Sequence, residues 1–246
     1  MKETRILMGM PITVEIPGDG SVQAAIDRVF DYFKYVDEKF STYKDTSEIT
    51  AINRGKLTAD NYSEDMREVL RLCEQTKKET DDYFNIVTPA GSLDPSGLVK
   101  GWSIYRAADL LRGMGVKEFY IDAGGDIEAA GKIWKVGIKN PFKQEEIVKV
   151  LYVQDAGVAT SGTYIRGEHI YNPKDSNRPA NDIMSLTVIG PNIYEADRFA
   201  TAAFAMGKPG IMFIENLKGF EAYMIDRNGI ATMTSGFGPY TKEPEL

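Results

Sequence analysis

Apolar residues occupy alternate positions at Ile6, Met8, Met10, Ile12, Val14 and Ile16, and a Pro-Gly-Asp-Gly turn follows at 17–20. A period of two predicts one half-buried strand over this stretch. From Ser21 to Phe40 the period lengthens, so that Ala25, Val29, Phe33 and Val36 share one face of a helix. The segment STYKDTSEITAINRG (41–55) is polar and turn-rich and predicts a loop followed by a short helix. Its candidate capping boxes, Thr46 to Ile49 and Ser47 to Thr50, lack the Glu or Gln that would close them. A further helix is expected over 63–80. In the next helix Asp94 can cap, Pro95 suits the first helical position and Gly113 or Gly115 can end it. Its apolar face carries Leu98, Gly101, Ile104, Ala108 and Leu111.

Beyond it, EFYIDAGGDIEAAGKIWKVGI (118–138) reads as three strands separated by a glycine turn and a Gly-Lys turn. Strands follow at 147–153, 185–190, 220–226 and 230–234, with Asp-Arg-Asn-Gly at 226–229 as a hairpin turn. ATSGTY (159–164) reads as a loop, and EADRFATAAFAMG (195–207) as a core helix with Phe199, Ala203, Phe204 and Met206 at helical spacing. No repeat, low-complexity tract or linker interrupts the chain. The pattern predicts an α+β fold, mixed or antiparallel sheet with packed helices, in a single domain over 1–246.

Composition narrows the partners. The chain has 246 residues, a net charge of −7 and 43% hydrophobic content, which suits a globular core and argues against nucleic acid or an anionic membrane surface. A phosphate-bearing ligand would need local help from a metal, a lysine or a helix N-terminus. Cys73 is the one cysteine, so no intrachain disulfide can form. With Val69 and Leu72 on the same stripe it reads as a small buried hydrophobe, a reactive thiol being the lesser alternative. The N-terminus alternates instead of forming an apolar block, and no segment approaches about 18 consecutive apolar residues. The expected location is cytoplasmic, with no membrane span.

Several stretches carry candidate chemistry. In DAGGDI (122–127), Gly124 and Gly125 allow positive φ or close approach of a ligand; alone this reads as a hairpin turn, and the spacing of a dinucleotide-binding fingerprint is missing. Thr160, Ser161 and Gly162 can aim backbone N–H groups at an oxyanion, or form a plain loop. His169 is the single histidine, which excludes a His-rich zinc site; by itself it favours a structural role. Asp94, Gly97 and Lys100 sit at a helix start, where unpaired N–H groups suit a phosphate or the helix is merely well capped. Asp197 and Thr201 lie four apart, hence side by side on their helix beside Phe204. A hard cation can take both oxygens. Taken alone, the pair reads as a dipole-favoured acid and a hydroxyl bonded back to its own helix, with Asn192 and Glu195 as the cap.

The ordered set changes the weighing. Met-Gly on the first strand, STYKDTSEITAINRG, DPSGLVKGW, DAGGDI with GKIWKVGIKNP, ATSGTY with HIYNP, and EADRFATAAFAMG occur in that sequence. Over nearly the whole chain this resembles the ApbE family of FAD:protein FMN transferases.

The resemblance implies an α+β fold with the flavin nucleotide held between two lobes. It implies Mg²⁺-dependent transfer of FMN from FAD to a Thr or Ser of an acceptor flavoprotein, with release of AMP. Matched onto this chain, Asp197 and Thr201 fall on the metal-binding acid and hydroxyl, and Gly97 on the residue offering its carbonyl to the same ion. Asp94 and Lys100 flank it on the motif that meets FAD. Met8 and Tyr43 match positions lining the nucleotide. Gly124 and Gly125, with Thr160, Ser161 and Gly162, fall on loops near the cofactor. His169 falls on the histidine with an assigned catalytic role, and Asp94 is the second candidate for the proton. The stretch YFNIVTPAGSLDPSGLVKG is shorter than in many members, so Asn85 alone is carried across from it. Rival expectations are a Mg²⁺-dependent FAD pyrophosphatase and a non-catalytic FAD-binding protein.

Overall fold

The structure is a computed structural model and describes residues 1–143, 145–162, 174 and 182–244. The alternating N-terminal run is two strands rather than one. Strand β1 (Lys2–Leu7) folds back on β2 (Met10–Glu15) through Met8 and Gly9, whose φ angles are 52° and 72°. Two successive positive φ angles make the tight turn that matches strand twist. Folding back places Ile6 opposite Pro11 on the outer face, where Ile6 is 72% exposed, while Ile12, Val14 and Ile16 enter the core. Met-Gly lacks the Asn or Asp that announces such a turn, so the alternation runs through it unmarked.

Five helices coincide with the periodic segments or with the short piece expected after a loop. They are α1 (Gln23–Phe40), α2 (Glu48–Asn53), α3 (Glu64–Glu79), α4 (Ser96–Gly113) and, after the strands below, α5 (Ile193–Met206). A short α6 (Gly210–Glu215) follows. Ser47 and Ser63 cap α2 and α3 by accepting from Thr50 N and Met66 N. The remaining strands are β3 (Phe119–Ala123), β4 (Asp126–Ala130), β5 (Trp134–Lys139), β6 (Ile147–Val153), β7 (Ala156–Gly162), β8 (Ile183–Gly190), β9 (Glu221–Asp226) and β10 (Ala231–Met233). Among the described residues eight strands form one sheet in the order β1-β2-β3-β4-β7-β8-β9-β10, and each neighbouring pair is antiparallel. Among the described residues β5 and β6 pair with each other as a separate two-stranded ribbon.

The expected loop at 159–164 is a strand as far as Gly162; 163 and 164 lie outside the described residues. Near the start of the same strand, Gly157 answers to packing. A Cβ on Gly157 would lie 2.1 Å from the backbone nitrogen of Ile193, so the start of α5 presses directly on β7. Gly157 lacks a side chain because a helix occupies the space, not because the chain turns.

Both faces of the sheet are covered. On one side α1, α4 and α5 bury Val14, Phe30, Phe33, Ile104, Leu111, Phe119, Leu186 and Phe204. On the other, the β5–β6 ribbon brings Trp134, Val136, Leu151 and Val153 onto Ile127, Val158 and Ile189. Burial on both faces explains why β4 is buried at every position. A third cluster joins the end of α1 to α2, α3 and the first turns of α4 through Phe40, Ile49, Met66, Cys73, Leu98 and Trp102. Each such side chain contributes about 1.5–3 kcal/mol on burial. No described helix is long and apolar enough to cross a membrane.

Candidate functional site at the crossing of two helices

Gly97 and Gly101 give α4 a bare edge, and α5 lays Thr201 and Asp197 against it. A Cβ on Gly101 would lie 2.6 Å from Asp197 Cβ and 2.8 Å from the Ile193 carbonyl. One on Gly97 would lie 3.3 Å from Thr201 Cγ2. Both pairs are spaced four residues apart, so one turn of each helix meets one turn of the other, running in opposite directions. The start of α5 is fixed twice. Asn192 Oδ1 accepts from Glu195 N at 2.9 Å, and the buried Glu128 accepts from Ile193 N and from Arg112 Nη2, each at 2.7 Å. Burial pushes the Glu128 carboxyl above its ordinary range, against the pull of those two donors.

Around the crossing, oxygen atoms converge. Asp197 Oδ2 accepts from Gly101 N at 2.8 Å, and Thr201 Oγ1 donates to the Gly97 carbonyl at 3.4 Å. Lys100 Nζ lies 3.8 Å from Asp197 Oδ1 and 2.6 Å from Asp126 Oδ2. Asp126 Oδ1 accepts from Thr160 N at 3.1 Å, and the hydroxyls of Thr160 and Thr187 share a hydrogen bond of 2.9 Å. Asp126 and Asp197 are 1% and 3% exposed. Burial raises the Asp197 carboxyl far above the usual carboxylate range. Lys100 opposes this, and Asp126 beside it pushes the same way.

This donor set suits a hard divalent cation. A carboxylate, a hydroxyl and a backbone carbonyl are all oxygen, and a magnesium ion commonly takes one or two carboxylates and leaves its other positions to phosphate and water. Asp126 Oδ2 is buried without a hydrogen-bond donor among the described residues, apart from its ion pair with Lys100. Two buried carboxyls share one ammonium, and the upward shift of Asp197 reflects how poorly the pocket supports a second negative charge without a further cation. Among the described residues no three acidic, His or Cys side chains gather, so the site depends on neutral oxygens as well.

The remaining sequence-predicted residues fall in three places. Several share one end of the sheet with the crossing. Gly124 and Gly125 form the β3–β4 turn with φ of 62° and 96°, and Gly125 N donates to Asp122 Oδ1 at 2.8 Å. Gly124 N donates to the Pro11 carbonyl at 3.0 Å, which sets this turn beside the Met8–Gly9 turn. Met8 holds a left-handed backbone and packs against the first and third clusters. Thr160, Ser161 and Gly162 end β7 at the same edge, next to the start of β4.

Others are engaged in local hydrogen bonds or exposed. Asp94 Oδ1 accepts from Ser96 N at 3.0 Å ahead of α4, and Asn85 Oδ1 accepts from Val87 N at 2.9 Å. Tyr43, on the loop between α1 and α2, is 97% exposed. His169 lies outside the described residues.

Sequence reasoning missed Asp126 and Glu128. The two glycines of DAGGDI drew attention, yet the acid after them carries the side chain that reaches the cluster. The available signal was an acid opening a strand directly after a positive-φ turn, where the backbone aims it away from the hairpin tip.

Residues 8–92 and 87–224 match the sequence model of the ApbE family. The FAD:protein FMN transferase of Haemophilus influenzae is 23% identical over an alignment of 315 residues, which covers 95% of this chain and 91% of that protein. The protein of the same name from Vibrio cholerae is 27% identical over 157 residues, covering 53% of this chain and 47% of its own length, so the chain spans about half of it. Among solved structures, the flavin transferase ApbE from Vibrio cholerae superposes with a TM-score of 0.83 at 20% identity, over 98% of each chain, and so shares the fold. On the family match over both halves of its sequence, the chain belongs to the ApbE family.

Proposed function

We propose that this chain, acting as one unit over 1–246, transfers FMN from FAD to a Thr or Ser hydroxyl of an acceptor flavoprotein and releases AMP. The name shared by its relatives supports the reading. The observation that carries it is the convergence of the Gly97 carbonyl, Asp197 and Thr201 where α4 crosses α5. These three would hold Mg²⁺, which supplies positive charge to the pyrophosphate and to departing AMP. FAD would lie between two lobes of the fold, lined by Met8, Tyr43, Gly124, Gly125 and the Thr160–Gly162 edge. Lys100 would meet its phosphates.

In this reaction the acceptor oxygen bonds to the phosphorus on the FMN side. The bond from that phosphorus to the oxygen bridging to AMP breaks, and AMP leaves with that oxygen. The hydroxyl proton passes to His169, with Asp94 the second candidate. The rigid crossing matters because in-line displacement tolerates little misplacement.

The test is incubation with FAD, Mg²⁺ and a candidate acceptor. Fluorescence that stays with the denatured acceptor is the expected result. Free FMN plus AMP in the presence of several acceptors would make the chain a pyrophosphatase, and intact FAD would make it a binding protein. The cytoplasm remains the proposed location.

A further inference from the structure

We propose that Asp126 is the second carboxylate of the ion site, and that the Lys100 ammonium stands in for the divalent ion until one arrives. The inference rests on the ion reading given above and goes beyond it. Asp126 opens β4 and Asp197 sits on α5, elements far apart in sequence, yet one ammonium bridges them at 2.6 and 3.8 Å. Burying a carboxylate is costly unless a cation or donors meet it. Thr160 N satisfies one Asp126 oxygen, and the other, Oδ2, is met at 2.6 Å by the Lys100 ammonium. That oxygen already holds a cationic partner, the kind a divalent ion can replace. The lysine side chain is 21% exposed, unlike the two acids at 1% and 4%, so its flexible stem reaches in from the surface and can withdraw. Withdrawal leaves both carboxylates on the ion and frees the ammonium for a phosphate. Ion binding is thereby weak in the absence of dinucleotide, because it must displace a resident charge.

Mn²⁺ binding to the FAD-free protein, read from the electron paramagnetic resonance of free Mn²⁺, tests this without turnover. Asp126→Asn, which keeps an acceptor for Thr160 N, should weaken Mn²⁺ binding about tenfold or more, and Lys100→Met should tighten it about tenfold, since each change is worth roughly one charge contact. Lys100→Met should also gain more melting temperature from Mn²⁺ than the wild type does. Wild-type affinity in Asp126→Asn, or unchanged or weaker binding in Lys100→Met, overturns the inference. If Asp126→Asn does not fold, the Lys100→Met result decides alone. Asp197→Asn separates the levels. Lost binding there with no effect of the other two variants defeats only this inference, whereas wild-type binding in Asp197→Asn defeats the ion reading beneath it.

Discussion

The backbone N–H of Gly101 donates to Asp197 Oδ2 at 2.8 Å, and any side chain on Gly101 would strike Asp197 itself. One residue thus provides both the hydrogen bond and the closeness that place the carboxylate. Gly101→Ala is expected to push the helices apart and lower stability by about 1–3 kcal/mol. It should also weaken the dependence on Mg²⁺, although residue 101 contributes no oxygen to the site. Thermal melts beside a Mg²⁺ titration of turnover check both parts; normal values in both would mean that the close approach is not needed.

Asp197→Asn separates function from stability. The amide oxygen can still accept from Gly101, and a buried carboxyl that ionises only at a cost is replaced by a neutral group. The ion-free variant should melt at or above the wild-type temperature while its Mg²⁺-dependent turnover falls about 100-fold or more, the scale of removing one electrostatic stabiliser of the reaction. A variant that loses both together would give Asp197 a structural role.

Glu48 supplies a pH-dependent brace remote from the site. Its carboxylate accepts from Ser63 N and Ser63 Oγ, each at 2.7 Å, and pairs with Lys39 at 3.2 Å, tying α2 to the start of α3 and the end of α1. Burial pushes this carboxyl up, but the Ser63 donors and Lys39 hold it below its ordinary value of 4.5. A folded pKa below the unfolded one means that the stabilisation is complete above the unfolded value and is lost as pH falls through the folded value. Glu48→Gln should cost about 1–2 kcal/mol at neutral pH. Denaturant melts should show that deficit closing once the medium is acid enough to protonate the wild-type residue; a deficit that is constant with pH would contradict the assignment.

Cys73 is buried in the third cluster, and burial pushes its thiol up to about 12. It is expected to resist an aromatic disulfide reagent in the native protein at neutral pH and to react fully after unfolding. Rapid labelling of folded protein would revive the reactive-thiol reading.

Much of this arrangement is written in local pattern. The faces of α1 and α3 follow from apolar spacing, because each has one covered side, whereas α4 is also buried off its predicted face, at Val99, Trp102, Ser103 and Ala107. The four-residue spacing of Asp197 and Thr201 likewise makes them neighbours on any helix that contains both. What stays hidden depends on contacts between distant segments. Thr160 and Ser161 look like loop residues until β7 pairs with β8, and Ile6 looks like core until the chain reverses at Met8. Asp126 has no partner nearby in sequence, since Lys100, Thr160 and Asp197 reach it only through the sheet order β3-β4-β7 and the α4–α5 crossing. Gly157→Ala probes the packing of α5 on β7. With a Cβ only 2.1 Å from Ile193 N, it should destabilise the fold by about 3 kcal/mol, far more than an alanine in an open loop.

The most direct measurement is AMP release from FAD at increasing Mg²⁺ for the wild type, Asp197→Asn and Thr201→Val, with acceptor present and each protein confirmed folded. A bound ion shared by these two side chains predicts saturable, Mg²⁺-dependent release in the wild type. It predicts a rightward-shifted, strongly reduced response in Thr201→Val and near-complete loss in Asp197→Asn. Wild-type rates with an unchanged Mg²⁺ response in both variants would contradict it.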